Sequence, residues 1–230
     1  MSHAAIERIR EAAPAVLPSL LMCDFGDLRS EIERLASAGA EVLHLDVMDG
    51  HFVPNLTYGM PIVEGLRKHT QMPLDVHLMI SDPLKYAKRF VDAGADLLTF
   101  HVEAVEDPTA VAKAIATLGV GVGVAINPST AIERLGNCLD HCELALVMSV
   151  DAGFGGQSFN PVALERLREL RQRYPELLLE IDGGINKETI SSARGAGCDL
   201  FVVGSAIFRH ADYGLAMREL MTAMANGFKD

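Results

Sequence analysis

The feature that most constrains the fold is a series of eight short aliphatic runs separated by amphipathic segments. Most runs are continuous in Val, Ile, Leu and Ala, which is typical of parallel strands covered by helices on their outer face. The runs are Val16–Leu21, Glu41–Val47, Leu74–Met79, Asp96–Val102, Val120–Ile126, Leu144–Val150, Leu177–Ile181 and Leu200–Val203. Helix-like segments such as Asp27–Ala38 and Pro161–Tyr174 lie between them, and several end in a glycine just before the next run.

Eight such units in 230 residues predict an α/β fold, a (β/α)8 barrel, because each unit averages about 29 residues. No Pro/Ser-rich linker divides the chain, so we expect one domain, 1–230. Residues 1–14 form an N-terminal segment before the first strand, expected to be a short helix. The alternative is a doubly wound open sheet, which needs a glycine fingerprint after its first strand. The stretch from Ser19 to Asp24 contains no glycine.

Composition excludes several classes of protein. The formal net charge of −11 disfavours binding to nucleic acid or to an anionic membrane, which both select basic surfaces. No apolar run approaches the ~20 residues that span a bilayer. The first residues carry Glu7, Arg8, Arg10 and Glu11, where a signal peptide needs an apolar segment. With only four scattered cysteines, the chain is expected to be cytoplasmic.

Polar side chains that can bind a metal stand at the ends of three runs. His44 and Asp46 are two residues apart and therefore share one face of a strand, while His77 and Asp182 end two other runs. In a barrel the carboxyl ends of the strands converge on one site, so these four residues predict a mixed nitrogen and oxygen site for a metal. The alternative for each residue alone is a hydrogen-bonded polar group in the core.

Two weaker metal or support positions remain open. His101 ends the fourth run and is interpreted as structural, or as a residue that supports a metal ligand. The cluster Cys138, His141 and Cys142 has a spacing that zinc could use, but no second pair follows nearby. We therefore interpret these cysteines as small core residues.

Glycines cluster after the last three runs, at Gly153–Gly156, Gly183–Gly184 and Gly204. The loops after the seventh and eighth strands are the usual phosphate site of such barrels, because backbone N–H groups there can face an anion, and the three glycine clusters together favour this role. The alternative is that glycines are simply common in tight turns. Four methionines near strand ends could line a pocket or fill the core. These methionines are Met22, Met48, Met79 and Met148.

Five motifs, in this order along the chain, resemble the ribulose-phosphate 3-epimerase family. The most specific is HLDVMDGHFVPN, His44–Asn55. The others are LDVHLM (Leu74–Met79), GFGGQSF (Gly153–Phe159), EIDGGI (Glu180–Ile185) and GSAIF (Gly204–Phe208). The resemblance runs from about Leu17 to Phe208 and implies a TIM barrel of the ribulose-phosphate-binding type.

The resemblance also implies roles for individual residues. His44, Asp46, His77 and Asp182 are expected to bind one divalent metal ion, Zn, Fe, Mn or Co, with Asp46 as proton acceptor and Asp182 as proton donor. The expected substrate and phosphate contacts are Ser19, His77, Gly153, Phe154, Gly155, Gly156, Gly183, Gly184, Gly204 and Ser205, with Met48, Met79 and Met148 lining the pocket. The chain departs from the family at Ala152, where members usually carry proline.

The activity implied is an isomerase of carbohydrate metabolism. It would epimerise carbon 3 between D-ribulose 5-phosphate and D-xylulose 5-phosphate through an enediolate, a step of the pentose phosphate pathway. The expected partner is a small phosphorylated ketose, and the chain is expected to form a homo-oligomer. The alternatives are an allulose-6-phosphate 3-epimerase and a non-catalytic barrel that binds sugar phosphate. An orotidine-phosphate type decarboxylase needs a lysine that Asp46–Asp49 lacks.

Overall fold

The strands of this computed structural model, which describes residues 2–226, form one parallel sheet closed into a barrel. Within the described residues the sheet has eight strands in the order β1-β8-β7-β6-β5-β4-β3-β2. A single parallel bridge between Ser19 and His44 joins β1 to β2 and closes the circle. The strands are β1 Ala15–Pro18, β2 Leu43–Met48, β3 Leu74–Met79, β4 Leu97–His101, β5 Gly121–Ile126, β6 Leu144–Met148, β7 Leu178–Asp182 and β8 Leu200–Val203.

Helices alternate with these strands. They are α1 Ser2–Ala12, α2 Leu28–Ser37, α3 Met60–Arg67, α4 Pro83–Ala93, α5 Pro108–Ala116, α6 Val162–Arg173, α7 Ile190–Gly195, α8 Ser205–Phe208 and α9 Tyr213–Asn226. The connection from β5 to β6 is a 3-10 segment, Ile132–His141, interrupted at Gly136. Asp82 and Asp107 cap α4 and α5 by accepting backbone N–H groups, and a proline follows each cap.

The (β/α)8 TIM barrel predicted from the sequence is confirmed. Met1 and residues 227–230, which fall inside the expected domain, lie outside the described residues. None of the helices in the described part of the chain is both long and apolar enough to cross a membrane. The predicted end of the first strand at Leu21 was wrong. β1 stops at Pro18, and residues Leu20–Met22 form a 3-10 turn.

The interior of the barrel changes from apolar to polar along its axis. At the amino ends of the strands, Ile6 and Ile9 of α1 pack into a buried cluster with Leu17, Leu97 and Leu144. Nearer the carboxyl ends, buried polar side chains replace the aliphatic ones. They include Ser19, His44, Asp46, Asp75, His77, Thr99, His101, Ser149 and Glu180. Since α1 occupies the amino end, the polar layer faces the opposite opening.

The register of the sheet brings these polar residues side by side. Asp46 of β2 is paired with His77 of β3, and His44 is paired with Asp75 one layer deeper. The next step towards the carboxyl end pairs Met48 with Met79. Because alternate residues of a strand point to the same face, each layer holds one set of side chains.

Candidate functional site

Four polar side chains predicted from the strand ends meet in one cluster. His44, Asp46, His77 and Asp182 each offer one ligand atom, and these atoms lie within 4.8 Å of one another. Both histidines are completely buried, Asp46 is almost so, and Asp182 is partly exposed. The cluster therefore opens to solvent on the side of Asp182.

Asp46 is held at both carboxylate oxygens. The hydroxyl of Ser19 donates a hydrogen bond to Oδ2 at 2.6 Å. On the other oxygen, Oδ1, His77 Nδ1 lies at 3.1 Å and His44 Nε2 at 3.4 Å. The two histidines thus approach the same oxygen through opposite ring nitrogens.

A second acidic pair lies one layer deeper, behind His44. Nδ1 of His44 lies 2.6 Å from Asp75 Oδ2 and 3.1 Å from Glu180 Oε1. Asp75 and Glu180 are fully buried, and with His44 they form another group close enough to hold a cation. Because a hydrogen bond at Nδ1 fixes the ring, Nε2 of His44 is directed towards Asp46 and Asp182.

His77 is supported from its other side. Its Nε2 lies 2.8 Å from Nε2 of His101, and Nδ1 of His101 lies 3.1 Å from Glu103 Oε2. The rings of His77 and His101 stack with centroids 5.0 Å apart. Nδ1 is therefore the nitrogen that His77 presents to the cluster.

The charges of the cluster are strongly coupled. Burial and the nearby charge of Asp46 raise the pKa of Asp182 to about 7. Burial opposes ionisation of Asp46, but His44 and His77 lower its pKa. Burial likewise opposes protonation of His44, yet Asp75 and Asp46 raise its pKa well above the usual value. Burial, then the charge of Asp75, raises the pKa of Glu180.

These residues fit a divalent cation. Nε2 of His44 is buried and forms no hydrogen bond within the described part of the chain, although a buried polar nitrogen normally has a partner. Two imidazoles and two carboxylates suit zinc, iron, manganese or cobalt. A cation among them would satisfy His44 Nε2 and would also compensate the two neighbouring carboxylates.

A pocket leads from Asp46 and Asp182 to the glycine-rich loops. Its lining contains the predicted Ser19, Gly153, Phe154, Gly155, Gly156, Gly183, Gly184, Gly204 and Ser205, and the methionines Met22, Met48, Met79 and Met148. His44 and His77 are buried behind this lining. Among the lining residues no lysine or arginine occurs, so an anion there would meet backbone N–H groups first.

The loop that contains Gly153–Gly156 is tied to two neighbours. The amide of Asn55 donates to Gly153 O at 2.8 Å, and Ala152 N–H donates to Asn127 Oδ1 at 3.2 Å. A proline at position 152 could not donate this second hydrogen bond. The departure from the family pattern at Ala152 therefore has a structural consequence.

Two glycines that the sequence assigned to the same role differ in structure. Gly184 has φ +63°, and a Cβ there would lie 2.7 Å from Phe159 N. Gly204 has φ −102°, and a Cβ there would meet only Met22, whose Sδ would lie at 3.5 Å. Glycine at position 184 is therefore required by the backbone, whereas glycine at 204 keeps space open at the pocket wall.

The cluster Cys138, His141 and Cys142 is not among the groups of described residues that could hold a metal ion. Sγ of Cys138 lies 3.7 Å from Sγ of Cys142, and Cys138 is buried among core residues. Within residues 2–226, the groups of three or more possible ligands are the two around His44.

Comparison with known proteins identifies the family. A model described as the ribulose-phosphate 3 epimerase family matches residues 15–208. The chain belongs to this family. A ribulose-phosphate 3-epimerase of Mycobacterium tuberculosis (strain H37Rv) is 45% identical over 211 residues, covering 90% of this chain and 91% of the relative.

Relatives of this epimerase family also occur in a plant and in another bacterium. The cytoplasmic isoform of Oryza sativa subsp. japonica is 44% identical over 207 residues, covering 88% of this chain and 91% of the relative. The Bacillus subtilis (strain 168) protein is 43% identical over 210 residues, which cover 89% of this chain and 97% of the relative. Both carry the name ribulose-phosphate 3-epimerase.

Solved structures with the same fold include proteins of other names. KGPDC from Streptococcus mutans superposes with a TM-score of 0.72 at 20% identity, covering 94% of this chain and 99% of that one. The tryptophan synthase alpha chain of Legionella pneumophila superposes with a TM-score of 0.67 at 16% identity, and the match covers 98% of this chain and 97% of that one. At such identities the likeness shows the fold alone.

Asp75, Glu180 and Glu103, which contact the buried histidines of the site from behind, were not predicted from the sequence. The signal was present: Asp75 lies two residues before His77, Glu180 two before Asp182, and Glu103 two after His101. A strand places such pairs on one face. The spacing that singled out His44 and Asp46 would therefore have found Asp75 and Glu180.

Proposed function

We propose that this epimerase family member interconverts D-ribulose 5-phosphate and D-xylulose 5-phosphate. The observation that carries the proposal is the meeting of two carboxylates from opposite sides of the barrel, Asp46 of β2 and Asp182 of β7, at the floor of a glycine-lined pocket. Epimerisation needs one acid/base group on each face of carbon 3. The names of the relatives support the five-carbon substrate.

His44, Asp46, His77 and Asp182 would hold one divalent metal ion, Zn, Fe, Mn or Co. When bound, the ion supplies Lewis-acid stabilisation of negative charge on the substrate oxygens. His44 would exchange its Nε2 proton for the ion while Asp75 keeps the hydrogen bond at Nδ1. Asp75 and Glu180 therefore orient this ligand from behind.

The proton moves through the two aspartates. Asp46 takes the proton from carbon 3, which breaks the C–H bond and leaves an enediolate. Asp182, protonated, then gives a proton to the opposite face, and the two residues exchange roles in the reverse reaction. Ser19 donates to Asp46 Oδ2 and so keeps the carboxylate in one orientation.

The glycine-rich loops would bind the phosphate. Gly153–Gly156, Gly183, Gly184, Gly204 and Ser205 line the pocket, and α8 begins at Ser205. Phe154 is 52% exposed at the rim, where it could cover a bound sugar. The methionines Met48, Met79 and Met148 would exclude water from the reacting carbon.

The remaining proposals concern the context of the protein. Residues 1–230 would act as a single barrel domain, with 1–14 as its N-terminal segment. The chain would be a cytoplasmic homo-oligomer that acts on a phosphorylated ketose in the pentose phosphate pathway. Equilibrium sedimentation of the purified protein would test the oligomeric state.

The function is tested by loading the purified protein with each candidate metal and following ribulose 5-phosphate in a coupled assay. We expect xylulose 5-phosphate to form, and allulose 6-phosphate to be turned over more slowly. Binding of ribulose 5-phosphate without conversion would favour the non-catalytic sensor. Faster conversion of allulose 6-phosphate would favour the six-carbon epimerase.

A further inference from the structure

A chain of four side chains, which we call the histidine relay, links the candidate metal site to a carboxylate in Val102–Ala104, the 3-10 turn that follows β4. It runs Asp46–His77–His101–Glu103. The three contacts are 3.1 Å from Asp46 Oδ1 to His77 Nδ1, 2.8 Å from His77 Nε2 to His101 Nε2, and 3.1 Å from His101 Nδ1 to Glu103 Oε2. Both rings are completely buried.

The far end of the relay can only accept hydrogen bonds. Glu103 Oε1 accepts the backbone N–H of Asn127 at 2.8 Å, while Oε2 faces His101. Burial opposes ionisation of Glu103, but the hydrogen bonds from His101 and Thr130 lower its pKa to about 2. Glu103 is therefore a carboxylate, which has acceptors only.

The number of ring hydrogens then decides the tautomers. Two neutral imidazoles carry two hydrogens, one each, but the relay has three contacts. Nδ1 of His101 also lies 3.4 Å from Asn127 Nδ2, but its contact with Glu103 Oε2 is shorter, at 3.1 Å. If the hydrogen of His101 is on Nδ1 and donates to Glu103, then Nε2 of His101 accepts the hydrogen of His77 Nε2. Nδ1 of His77 is left with a lone pair that faces Asp46 and the candidate metal site.

We propose that Glu103 and His101 are positioning residues that fix the tautomer of His77, so that Nδ1 faces the divalent ion as a ligand. This inference rests on the metal role of His77 in the proposed function. It adds a supporting carboxylate outside the cluster, two residues beyond β4. Glu103 would do for His77, through His101, what Asp75 does directly for His44.

The substitution Glu103→Gln tests the relay because its hydrogen-bond pattern conflicts with the wild-type tautomers. Glutamine has one acceptor oxygen, and the backbone N–H of Asn127 cannot change its direction. The amide oxygen would therefore stay with Asn127, and the NH2 group would face His101 Nδ1. This requires the hydrogen of His101 to move to Nε2, which in turn places the hydrogen of His77 on Nδ1, the metal-facing nitrogen.

Glu143→Gln is the matched control. Glu143 is also a half-buried carboxylate that accepts a backbone N–H, from Val122 at 2.8 Å, but it precedes β6 at the opposite end of the barrel. Both substitutions remove one negative charge. The zinc affinity of each protein is measured by competition with a chelator, and the imidazole tautomers of the zinc-loaded, 15N-labelled proteins by long-range 1H–15N correlation.

We expect hydrogens on His77 Nε2 and His101 Nδ1 in the wild type, and a zinc affinity that falls roughly ten- to hundredfold in Glu103→Gln but less than twofold in Glu143→Gln. An equal loss in both variants, an unchanged affinity in Glu103→Gln, or a wild-type His101 with hydrogen on both nitrogens would overturn the proposal.

His101→Phe provides a second route if Glu103→Gln folds poorly. The phenyl ring keeps the contact with Phe52, whose ring centroid lies 4.9 Å from that of His101, but offers no acceptor to His77. We expect the same loss of zinc affinity, and an unchanged affinity would again overturn the relay. These readouts need no sugar phosphate, so a failure to epimerise ribulose 5-phosphate with a normal zinc response would count against the proposed function only.

Discussion

Asp46 and His77 lie opposite each other in the parallel register of β2 and β3, and His77 Nδ1 is 3.1 Å from Asp46 Oδ1. The same oxygen faces Nε2 of His44 at 3.4 Å. The register of two neighbouring strands thus fixes the positions of three of the four residues in the candidate metal cluster. Asp182 comes from β7, on the other side of the pocket, and completes the cluster.

Metal binding should depend on pH in two stages. His44, with its raised pKa, holds a proton in the metal-free protein, and Asp182 is half protonated near pH 7. Both must lose their protons to bind a cation. Below about pH 7 we expect Co2+ affinity to rise roughly hundredfold per pH unit, and above it roughly tenfold. Calorimetric titration from pH 6 to 8 measures this slope.

Asp182→Asn provides the control for this pH dependence. Asparagine does not titrate, so the steeper stage below pH 7 should disappear and leave the slope that His44 produces. A slope in the variant equal to that of the wild type would show that Asp182 is not the titrating group.

Each aspartate should be essential for turnover. Asp46→Asn and Asp182→Asn should each lower kcat by at least about a thousandfold, because neither face of carbon 3 has another base. Steady-state assays with saturating metal separate this loss from weaker metal binding. Ser19→Ala, which removes the hydrogen bond at Oδ2 and the cap on the backbone N–H of Leu21, should cost much less. A loss in Ser19→Ala as large as that in Asp46→Asn would contradict the role of Asp46 as the proton acceptor.

Backbone groups should bind the phosphate. Gly204→Ala adds a methyl group at the pocket wall without a strained φ, and loss of one charged hydrogen bond of ~1.5–3 kcal/mol would lower kcat/KM about ten- to hundredfold. Lys187→Ala should change it less than about threefold, because Lys187 pairs with Glu219 at the surface. A larger loss of kcat/KM in Lys187→Ala than in Gly204→Ala would contradict phosphate binding by backbone groups.

Gly184 is a poor position for the same test. A side chain there would strain the backbone at φ +63° and collide with Phe159 N. Loss of activity in Gly184→Val would therefore report on folding as well as on phosphate binding. Gly204 separates the two effects.

Ala152 should stabilise the loop through Asn127. We expect Asn127→Ala to lower the free energy of unfolding more in the wild type than in an A152P background, by the ~0.5–1.5 kcal/mol of one hydrogen bond. Proline removes the donor, so no coupling should remain there. Urea unfolding of the wild type, the two single variants and the double variant gives the coupling energy between positions 127 and 152. Equal effects of Asn127→Ala in both backgrounds would show that the hydrogen bond does not stabilise the loop.

The fold could be predicted because its strands are aliphatic and separated by helix signals. β3 and β8 begin and end at the predicted residues, since a polar or glycine-containing segment follows each run. β1 ends early because Pro18 cannot donate to the sheet and Ser19 caps a 3-10 turn. The segment Ile132–His141 has an amphipathic pattern, but Gly136 interrupts it with a φ of +45°, and the segment forms 3-10 turns instead of an α-helix.

The site was less completely predictable. The spacing of His44 and Asp46 indicates that both face the barrel interior, and the motifs suggest their partners. Which nitrogen each imidazole presents depends on ring orientation, and the contact of His101 with His77 depends on the register of β3 and β4. Neither the orientation of an imidazole ring nor the register between two strands can be determined from the sequence alone.

Deuterium incorporation during turnover tests the central claim most directly, namely that Asp46 and Asp182 act on opposite faces of carbon 3. The metal-loaded protein converts ribulose 5-phosphate in deuterated water, and NMR follows carbon 3 of substrate and product. We expect xylulose 5-phosphate to carry deuterium at carbon 3 while the remaining substrate stays unlabelled early in the reaction. Equal early labelling of substrate and product, or product without deuterium, would contradict the two-base account.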